Sequence, residues 1–460
     1  DTGPSFCGNN AVSARPAILY IQCESLEIAE TVAMNILLLT YGTRGDVQPF
    51  LALGQGLKSR GHRVKLVTSV RFERFVTDQG LEFAGMPDDL LAILDTDEGK
   101  SLIEDTQNVF DTISKNIRLT RRLQPMQEDQ LDACWSAAQD FAPDFVVFHP
   151  KGFAGPQIAE AFHCPALLAL PFPMLVPTGD WPHIGFPRLP FGAPYNRLTH
   201  KLVNSLTALS LRGPIKAFRA RHHMEDAKRY DCLHRPDGTP LPSVTAVSPS
   251  VVPTPSDWNS RHTMCGYWFP EPDTDWSPSP ELSAFLNAGP APVYIGFGSM
   301  AGKRPAALAD IAVQALQKTG VRGIIATGWG GLEPGDLPES VFKLDAAPHD
   351  WLFPRMAAVV HHGGAGTTAA GLRAGVPSII TPFTGDQPYW GRMVAQLGAG
   401  PEPISQKNLT STRLGEALTQ TLGEKRFRVS ARAISEKIKS EEGVAKASEM
   451  IEAMASDWPR

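Results

Sequence analysis

Two stretches of alternating apolar strands and glycine-rich turns restrict the folds open to this chain. The first begins at Met34 with a strand at 35–40, a glycine-rich turn, a helix at 47–60 and a strand at 63–68. The alternation restarts after position 290, with strands predicted at 293–297, 323–326, 341–344, 357–360 and 378–381. Alternation of strand and helix is typical of parallel sheets with helices on both faces. The sequence therefore predicts an α/β protein with two doubly wound, Rossmann-like halves.

The length of the chain also favours more than one domain. Its 460 residues exceed the usual size of a single core, and its 42% hydrophobic and 20% charged residues are ordinary for a globular protein. We predict a tail or tag expected to be disordered (1–33), a first Rossmann-like domain (34–250), an interdomain linker (251–290), a second Rossmann-like domain (291–440) and a C-terminal helix free to pack back on the first domain (441–460). Open-sheet proteins of this kind bind ligands in the cleft at the carboxyl ends of their strands.

Charge and cysteine usage exclude several classes. The formal net charge of −5 gives no reason to expect nucleic acid, which binds clustered basic surfaces. The six cysteines are far apart, which indicates neither a zinc site nor a disulfide framework. No apolar run approaches the ~20 residues of a membrane-spanning helix, and residues 1–33 lack the features of a signal peptide. We expect a cytoplasmic protein.

The run His361–Thr368 is the clearest candidate site. An apolar strand ends just before it and a helix-forming segment follows, so its glycines fall at a strand-to-helix turn. The free N–H groups and the macrodipole of such a helix favour a bound phosphate. A neighbouring histidine can add a donor to the anion. Strand alternation turns only one of the pair towards the ligand, and this one is either His361 or His362. A turn that serves close packing alone is the alternative.

Three further segments follow predicted strands of the same half. Asp386 and Gln387 offer a carboxylate and a carboxamide, groups that hydrogen-bond hydroxyl-rich ligands. The turn at 296–299 ends in Ser299 and either faces the same phosphates or is a plain β-turn. Trp329 lies among glycines and either stacks on a base or packs in the core. Phosphate and sugar requirements side by side indicate a nucleotide-sugar site.

Asp46 is the main candidate in the first half. It follows the first strand in Thr40–Pro49, where an N-cap is expected, with Pro49 in the first helical turn. Helix capping is one interpretation. The other is catalytic, because a carboxylate at the carboxyl end of the first strand faces the cleft and can take a proton from an attacking hydroxyl.

Four segments resemble one known family. They are TYGTRGDVQPFLALGQGLKSRGHRVKLVT (40–68), PYNRLTH (194–200), GFGSM (296–300) and APHDWLFPRMAAVVHHGGAGTTAAGLRAGVPSIITPFTGDQPYWGRMVAQLGAG (347–400). Together they resemble the UDP-glycosyltransferase superfamily of GT-B architecture, and within it most closely the sterol 3-beta-glucosyltransferases. The resemblance extends from Met34 to about residue 450. It implies two Rossmann-like domains that face each other across a cleft.

The resemblance also implies roles for single residues. His362 corresponds to the histidine that contacts the donor diphosphate, and Asp46 to the base of the branch that carries GTRGD. Further donor contacts carry over to Ser299, Ala347 (through its backbone, to the uracil), Gly364, Gly366, Thr367, Asp386 and Gln387. Related plant enzymes have a tryptophan where this chain has Ala346, so Trp329 stands as the candidate that stacks on the uracil.

The implied reaction is inverting transfer of glucose from UDP-glucose to the hydroxyl of a hydrophobic acceptor, with Asp46 and His362 as catalytic residues. The resemblance implies no cofactor and no metal, and the chain has no carboxylate cluster beside the phosphate turn. Helix N–H groups, His362 and the Ser299 turn would meet the charge on the leaving UDP.

The acceptor is expected to bind the first half. The stretch 171–194 is rich in apolar side chains that suit a flat alcohol such as a sterol or steroid, and ordinary core packing is the alternative. The acceptor-binding candidates are Phe172, Met174, Trp181, Ile184 and Phe186. The basic residues at 216–221 either support peripheral contact with an anionic membrane or form a solvated helix face.

Other functions stay open at this point. The same fold can glycosylate a macrolide, polyketide or glycopeptide aglycone. A sugar-nucleotide epimerase or hydrolase would process the donor without an acceptor, and a non-catalytic lipid-binding protein is a more distant alternative. The Asp-Gln pair is compatible with glucose, galactose or another hexose, although the resemblance favours glucose.

Overall fold

The computed structural model describes residues 32–95, 109–271, 276–298, 305–327 and 332–459, with only the backbone at 93–95 and 109–122. Residues 33–460 form one unit. The tail predicted at 1–33 lies almost entirely outside the described residues, as do Ser299 and Trp329.

A parallel sheet of seven strands forms the first half. Its strands are β1 (Asn35–Leu39), β2 (Arg63–Ser69), β3 (Glu82–Met86), β4 (Phe145–Phe148), β5 (Ala166–Leu170), β6 (Ser243–Thr245) and β7 (His262–Met264). Their order in the sheet is β3-β2-β1-β4-β5-β6-β7. The central strands β1, β4 and β5 are almost purely aliphatic or aromatic and are buried on both faces, as expected of a sheet covered by helices.

The second half has a parallel sheet of five strands in the order β10-β9-β8-β11-β12. They are β8 (Val293–Gly296), β9 (Gly323–Ala326), β10 (Val341–Leu344), β11 (Ala358–His361) and β12 (Ser378–Ile380). All pairs in both sheets are parallel. The prediction of two doubly wound α/β halves is therefore confirmed.

Helices connect these strands. Within the described residues they are α1 (Arg44–Ser59), α2 (Glu73–Thr77), α3 (Asp89–Asp95), α4 (Val109–Phe141), α5 (Gly155–Ala161), α6 (Gly192–Arg221), α7 (Pro280–Asn287), α8 (Pro305–Thr319), α9 (His349–Leu352), α10 (Ala365–Ala374), α11 (Gln387–Gln396), α12 (Ser411–Gly423), α13 (Lys425–Lys439) and α14 (Gly443–Ser456). Short 3-10 turns lie at Val70–Phe72, Phe353–Arg355 and Gln406–Asn408.

The strand order creates a switch point in each sheet. In the first sheet β1 lies between β2 and β4, and in the second β8 lies between β9 and β11. At a switch point, the connections that follow two adjacent strands run in opposite directions. This opens a crevice at the carboxyl ends of these strands. Leu39 pairs with Phe148 and Gly296 with His361, so the turns that follow these strands meet in pairs.

The segment predicted as a linker, 251–290, is more structured than its composition suggests. Strand β7 adds to the edge of the first sheet, and α7 lies in the same segment. The prediction missed β7 because three half-buried residues are too few to show a hydrophobic period.

Helix α14 packs against α1 on the first half. Ala447 and Ile451 are fully buried in the same core as α1. Gly56 of α1 makes this approach possible, because a Cβ there would lie 2.3 Å from Val444. Trp268 donates to the carbonyl of Gly443 at 3.2 Å and helps to fix the start of α14.

A shared apolar cluster joins the two halves. Val247, Val251 and Val252 follow β6 and pack with Trp390 and Ile380 of the second half. Trp390 is fully buried. This cluster is a direct packing contact between the two halves.

Candidate active site

The turn between β11 and α10 brings backbone N–H groups to the carboxyl edge of the second sheet. Gly363 has φ +91°, which favours glycine, and Gly364 is the N-cap of α10. No side chain caps this helix, so its first N–H groups are free to meet an anion. A Cβ on Gly366 would meet nothing within 4 Å, so this residue of the first turn has free space beside it among the described residues.

The two histidines differ in their surroundings. His361 is completely buried, and its Nδ1 accepts a hydrogen bond from the N–H of Gly363 at 3.1 Å. Burial holds the pKa of His361 well below its usual value. The imidazole of His361 is therefore neutral and stabilises the turn through its hydrogen bond with Gly363.

His362 lies against the ligand side of the turn. A Cβ on Gly364 would come within 2.6 Å of its Nε2, and one on Gly298 within 3.8 Å of its Cε1. The ring is therefore between the turn after β8 and the start of α10. Burial lowers the pKa of His362 to about 4, and its Nδ1 has no hydrogen-bond partner among the described residues. The choice of His362 as the phosphate contact remains a prediction, and this position suits it.

Asp386 and Gln387 lie where α11 begins, after β12. Oδ2 of Asp386 accepts from the indole N–H of Trp390 at 2.8 Å. Oε1 of Gln387 accepts from the backbone of Phe383 at 2.8 Å and of Thr384 at 3.2 Å. Each side chain is thus fixed by one of its polar atoms, which leaves Oδ1 of Asp386 and the amide of Gln387 for a ligand.

Asp46 is part of a capping box, although not at the position predicted. Thr43 is the N-cap of α1 and Asp46 is residue N3, whose Oδ2 accepts from the N–H of Thr43 at 2.8 Å. Pro49 lies inside α1 and not in its first turn. The helix begins earlier than predicted because Thr43 and Asp46 together satisfy its first donors.

Lys151 and His149, which follow β4, complete the surroundings of Asp46. The ammonium of Lys151 lies 3.2 Å from both carboxylate oxygens of Asp46. His149 Nδ1 accepts from the N–H of Lys151 at 3.1 Å, so the proton of the neutral ring is on Nε2, 3.5 Å from Oδ1 of Asp46. Burial lowers the pKa of His149 to about 3, which keeps it neutral.

These contacts set the charge of Asp46, whose side chain is only 13% exposed. Burial by itself raises the pKa of Asp46, but Lys151, His149 and the Thr43 hydrogen bond outweigh it and hold the pKa below its usual value. Asp46 is therefore an ionised, proton-free carboxylate at neutral pH.

Gly42 makes room for this ion pair. Its φ is +140°, and a Cβ there would lie 2.2 Å from Oδ2 of Asp46 and 2.8 Å from Nζ of Lys151. The capping and catalytic interpretations of Asp46 are therefore compatible. Only Oδ2 accepts from Thr43, whereas both oxygens contact Lys151.

Asp46 and Asp386 act on each other across the cleft. Burial raises the pKa of Asp386, and the charge of Asp46 on the opposite half raises it further, while Lys151 lowers it. The candidate base therefore lies near enough for its charge to act on the candidate sugar contact, although 340 positions separate them in the sequence.

The sequence analysis missed Lys151 and His149. Strands β1 and β4 are adjacent and parallel, so the residues that follow their carboxyl ends lie side by side. Their adjacency is a tertiary fact, since the long helix α4 separates β4 from the preceding strands. A search for charged residues just after each predicted strand would have found both residues.

The predicted acceptor wall divides between three surroundings. Phe172, Trp181 and Ile184 pack against the cluster that joins the halves. Met174 packs against the core of the first sheet, and Phe186 lies edge-on to His183. Met174 therefore lies in different surroundings from Phe172, Trp181 and Ile184, and the acceptor roles of all five residues remain predictions.

A cavity of about 360 Å³ lies beside this segment. Trp181 and Leu189 line it from the first half, and Tyr389 and Met393 from α11. Its surface is partly apolar and partly polar, with Arg188 and Asn196 among the polar residues. A hydrophobic molecule with a polar end suits such a lining.

Three remaining donor candidates are also placed. Ala347 lies between β10 and α9, partly buried against a core cluster, while Gly366 and Thr367 lie in the first turn of α10. Ser299 and Trp329 are outside the described residues, so their roles remain predictions. Across the described ranges no group of three or more His, Cys, Asp or Glu side chains is placed to hold a metal ion.

The described helices include none with the length and apolar character needed to cross a bilayer. Four cysteines, Cys134, Cys164, Cys232 and Cys265, are buried and unpaired.

Two family models match the chain. Residues 36–176 match the N-terminal domain of glycosyltransferase family 28. Residues 327–454 match the C-terminal domain of proteins like erythromycin biosynthesis protein CIII. The first match contains Asp46 and Lys151, and the second contains the glycine turn and the Asp-Gln pair.

Curated relatives are similar over most of the chain. Two sterol 3-beta-glucosyltransferases of Arabidopsis thaliana are 37% and 36% identical over 90% of this chain, and the matches cover 64% and 67% of those proteins. One from Aspergillus clavatus is 35% identical over 91% of this chain and 30% of its own length. The chain therefore spans about two thirds of the plant proteins and under a third of the fungal one.

Solved structures share the architecture. The glycotransferase of kitacinnamycin has a TM-score of 0.68 at 17% identity, covering 93% of this chain and 100% of that one. The calicheamicin glycosyltransferase CalG4 has a TM-score of 0.65 at 20% identity (92% and 98%). VinC, solved in complex with dTDP, has a TM-score of 0.62 at 20% identity (92% and 99%).

Two parallel-sheet halves, with an uncapped glycine-rich helix start at the carboxyl edge of the second, define the fold of the GT-B glycosyltransferases. The predicted class is therefore confirmed. Within that class, the chain belongs to the family of the sterol 3-beta-glucosyltransferases.

Proposed function

We propose that this protein transfers glucose from UDP-glucose to the 3-hydroxyl of a sterol or similar hydrophobic alcohol, with inversion to a β-glucoside. One observation carries the proposal: Asp46, an ionised carboxylate held by Lys151 after the first strand, acts electrostatically on Asp386 of the second half, whose sheet carries an uncapped helix start at its carboxyl edge. Base, sugar contact and phosphate site are the three parts that this reaction needs.

The donor half of the proposal is supported by the turn after β11. Free N–H groups at the start of α10 and the unpartnered Nδ1 of His362 match the oxygens of a diphosphate. VinC, which shares the fold, was solved with a nucleoside diphosphate. Glucose as the sugar is supported by the names of the Arabidopsis relatives.

In the proposed step, the acceptor oxygen forms a bond to the anomeric carbon while the bond from that carbon to the UDP oxygen breaks. The hydroxyl proton passes to Asp46, and UDP leaves with the bonding electrons. N–H groups of α10 and His362 stabilise the charge that develops on UDP, without rearrangement. The proposal needs no metal for this stabilisation.

Lys151 has two consequences for Asp46. It keeps the carboxylate free of a proton at neutral pH, which a general base needs. It also occupies both oxygens, so the pair must open before Asp46 can reach the acceptor hydroxyl. We propose that the anionic donor draws the ammonium of Lys151 away from Asp46 when it binds.

The acceptor is proposed to enter the cavity between Trp181 and α11. Aromatic and aliphatic side chains from both halves line it, and the names of the curated relatives specify sterols. The structural neighbours are named for other natural products, so a panel that includes sterols and polyketide aglycones distinguishes the two acceptor classes.

Asp46→Asn tests the assignment of the base. Transfer to a sterol should fall about 10²–10⁴-fold, because general-base catalysis is worth that much. The Kd for UDP, measured by calorimetry, should not rise, because the change leaves the phosphate site intact and frees Lys151 from its ion pair. Asp89→Asn is the matched control, since Asp89 is an exposed carboxylate in the first turn of another helix. Loss of UDP binding in Asp46→Asn, or full activity, would contradict the assignment.

A further inference from the structure

Helix α6 carries an exposed apolar stripe. Phe191, its N-cap, is 66% exposed, and Leu198, Leu202, Leu206 and Leu209 are 46–66% exposed. At 100° per residue these five side chains fall within an arc of about 80°, and they extend over about 27 Å of the helix axis. We call them the leucine stripe.

The stripe is unusual on this surface. Among the described residues, six of the ten exposed large hydrophobic side chains lie between Leu189 and Leu209. The other four are scattered singly: Val32, Val70, Leu422 and Val429. The opposite face of α6 is fully used, because Leu211, Ile215 and Phe218 are buried in the core of the first sheet. A continuous exposed apolar patch of this kind marks an interaction surface.

The charge of residues 186–221 indicates which kind of partner the stripe can bind. Residues 186–221 contain no Asp or Glu and seven Lys or Arg, although the whole chain has a net charge of −5. Three of the seven have no acidic partner among the described residues: Arg188, Lys201 and Arg212. Lys201 and Arg212 flank the stripe on one side, about 40–60° from Leu198.

The basic residues first considered for membrane contact, at 216–221, are otherwise engaged. Lys216 pairs with Asp226 and Arg221 with Glu128 and Asp132. Arg219 is buried and pairs with Glu160. The cations available to an external anion are therefore those beside the stripe.

The segment just before the stripe borders the proposed acceptor cavity. Arg188 and Leu189, just before Phe191, are both cavity residues, and Asn196 of α6 lies on its wall. The amino-terminal end of the stripe therefore lies beside the proposed acceptor cavity.

We propose that the leucine stripe docks on the surface of an anionic lipid bilayer, with the leucines among the acyl chains and Lys201 and Arg212 on the headgroups. An apolar arc with cations along its edge, and no carboxylates, complements such a surface. The role of the stripe in acceptor delivery rests on the proposed function. The docking itself does not.

Vesicle flotation of the full chain tests the docking. The protein should float with vesicles of phosphatidylcholine and phosphatidylserine in equal parts, and much less with phosphatidylcholine alone. Leu202→Glu/Leu206→Glu should lower the bound fraction at least about ten-fold, because a charged side chain at the interface opposes burial of the stripe. Lys201→Glu/Arg212→Glu should remove the preference for phosphatidylserine.

Leu422→Glu/Val429→Glu is the matched control, since both side chains are exposed and apolar but lie in the second half. It should float like the unaltered chain. Two results would overturn the proposal: an unaltered chain that does not float, or a stripe variant that floats like the control. A dimer in solution that the stripe variant dissociates, with no flotation, would assign the stripe to a second copy instead.

Acceptor delivery is tested by supplying sterol in two forms, in vesicles and as a cyclodextrin complex. The stripe variant should lose glucosylation of vesicle sterol and keep that of the cyclodextrin complex. Equal activity of the variant on both forms would refute the delivery role. A chain that floats but glucosylates sterol in neither form would refute the proposed function and leave the docking intact.

Discussion

Replacement of Lys151 tests how the site controls the charge of Asp46. Lys151→Met keeps the aliphatic stem and removes the ammonium, which lies 3.2 Å from both carboxylate oxygens. The pKa of Asp46 is held below its usual value in the folded protein, so removing the cation should raise it. Asp46 would then take up a proton at a higher pH, and the acidic limb of the pH profile should move upward.

The size of the shift follows from distance and exposure. Two unit charges 3.2 Å apart interact by about 5 kcal/mol at an effective dielectric of about 20. The Lys151 side chain is 53% exposed, so water screens the pair and about 1 kcal/mol remains. Removal of the ammonium should therefore raise the pKa of Asp46 and move the acidic limb to higher pH.

The assay is the pH dependence of kcat/KM with UDP-glucose as the varied substrate, which reports ionisations of the enzyme before the donor binds, when Lys151 still contacts Asp46. Lys58→Met is a matched control. Lys58 lies in the last turn of α1, whereas Asp46 lies in the first turn of that helix. The control profile should match that of the unaltered chain. An acidic limb that stays in place, or moves to lower pH, in Lys151→Met would refute either the ion pair or Asp46 as the base.

Three further outcomes are expected. His362→Ala should weaken UDP binding about 10–100-fold in calorimetry, because it removes a hydrogen bond to a charged phosphate; unchanged binding would exclude the contact. Gly42→Ala should destabilise the fold by about 1–3 kcal/mol in denaturant titration, because φ is +140° and the new Cβ would clash with Asp46. Gly423→Ala is the control, because a Cβ at Gly423 would meet nothing within 4 Å. Transfer should persist in excess EDTA, since α10 and His362 supply the anion site; its loss, with recovery on added Mg²⁺, would contradict a metal-free mechanism.

Much of the fold could be predicted because parallel strands buried on both faces have an unmistakable composition. Strands β9 and β10 end where the sequence analysis placed them, and β1 and β8 differ by one residue. The edge strand β7 was not predictable in the same way. It is three residues long and half-buried, and pairing with β6 defines it more than its own side chains do.

The candidate site was predictable where one segment carries it. The glycine turn, His362 and the Asp-Gln pair lie within 27 residues, and the structure brings them to one edge of the second sheet. The environment of Asp46 was not predictable from its segment, since Lys151 comes from another strand and Asp386 from the other half. The division of the 171–194 segment between two clusters was not predictable either, because apolar composition does not say which way a side chain points in an irregular segment.

Identification of the product tests the central claim most directly. The full chain would be incubated with cholesterol and UDP-glucose labelled with carbon-13 at the anomeric position, and the product would be followed by NMR and mass spectrometry. The account predicts that the label appears in a cholesterol β-glucoside, with one UDP released for each glycoside formed. Label in free glucose at a rate that ignores the sterol, or in an α-glucoside, would contradict it.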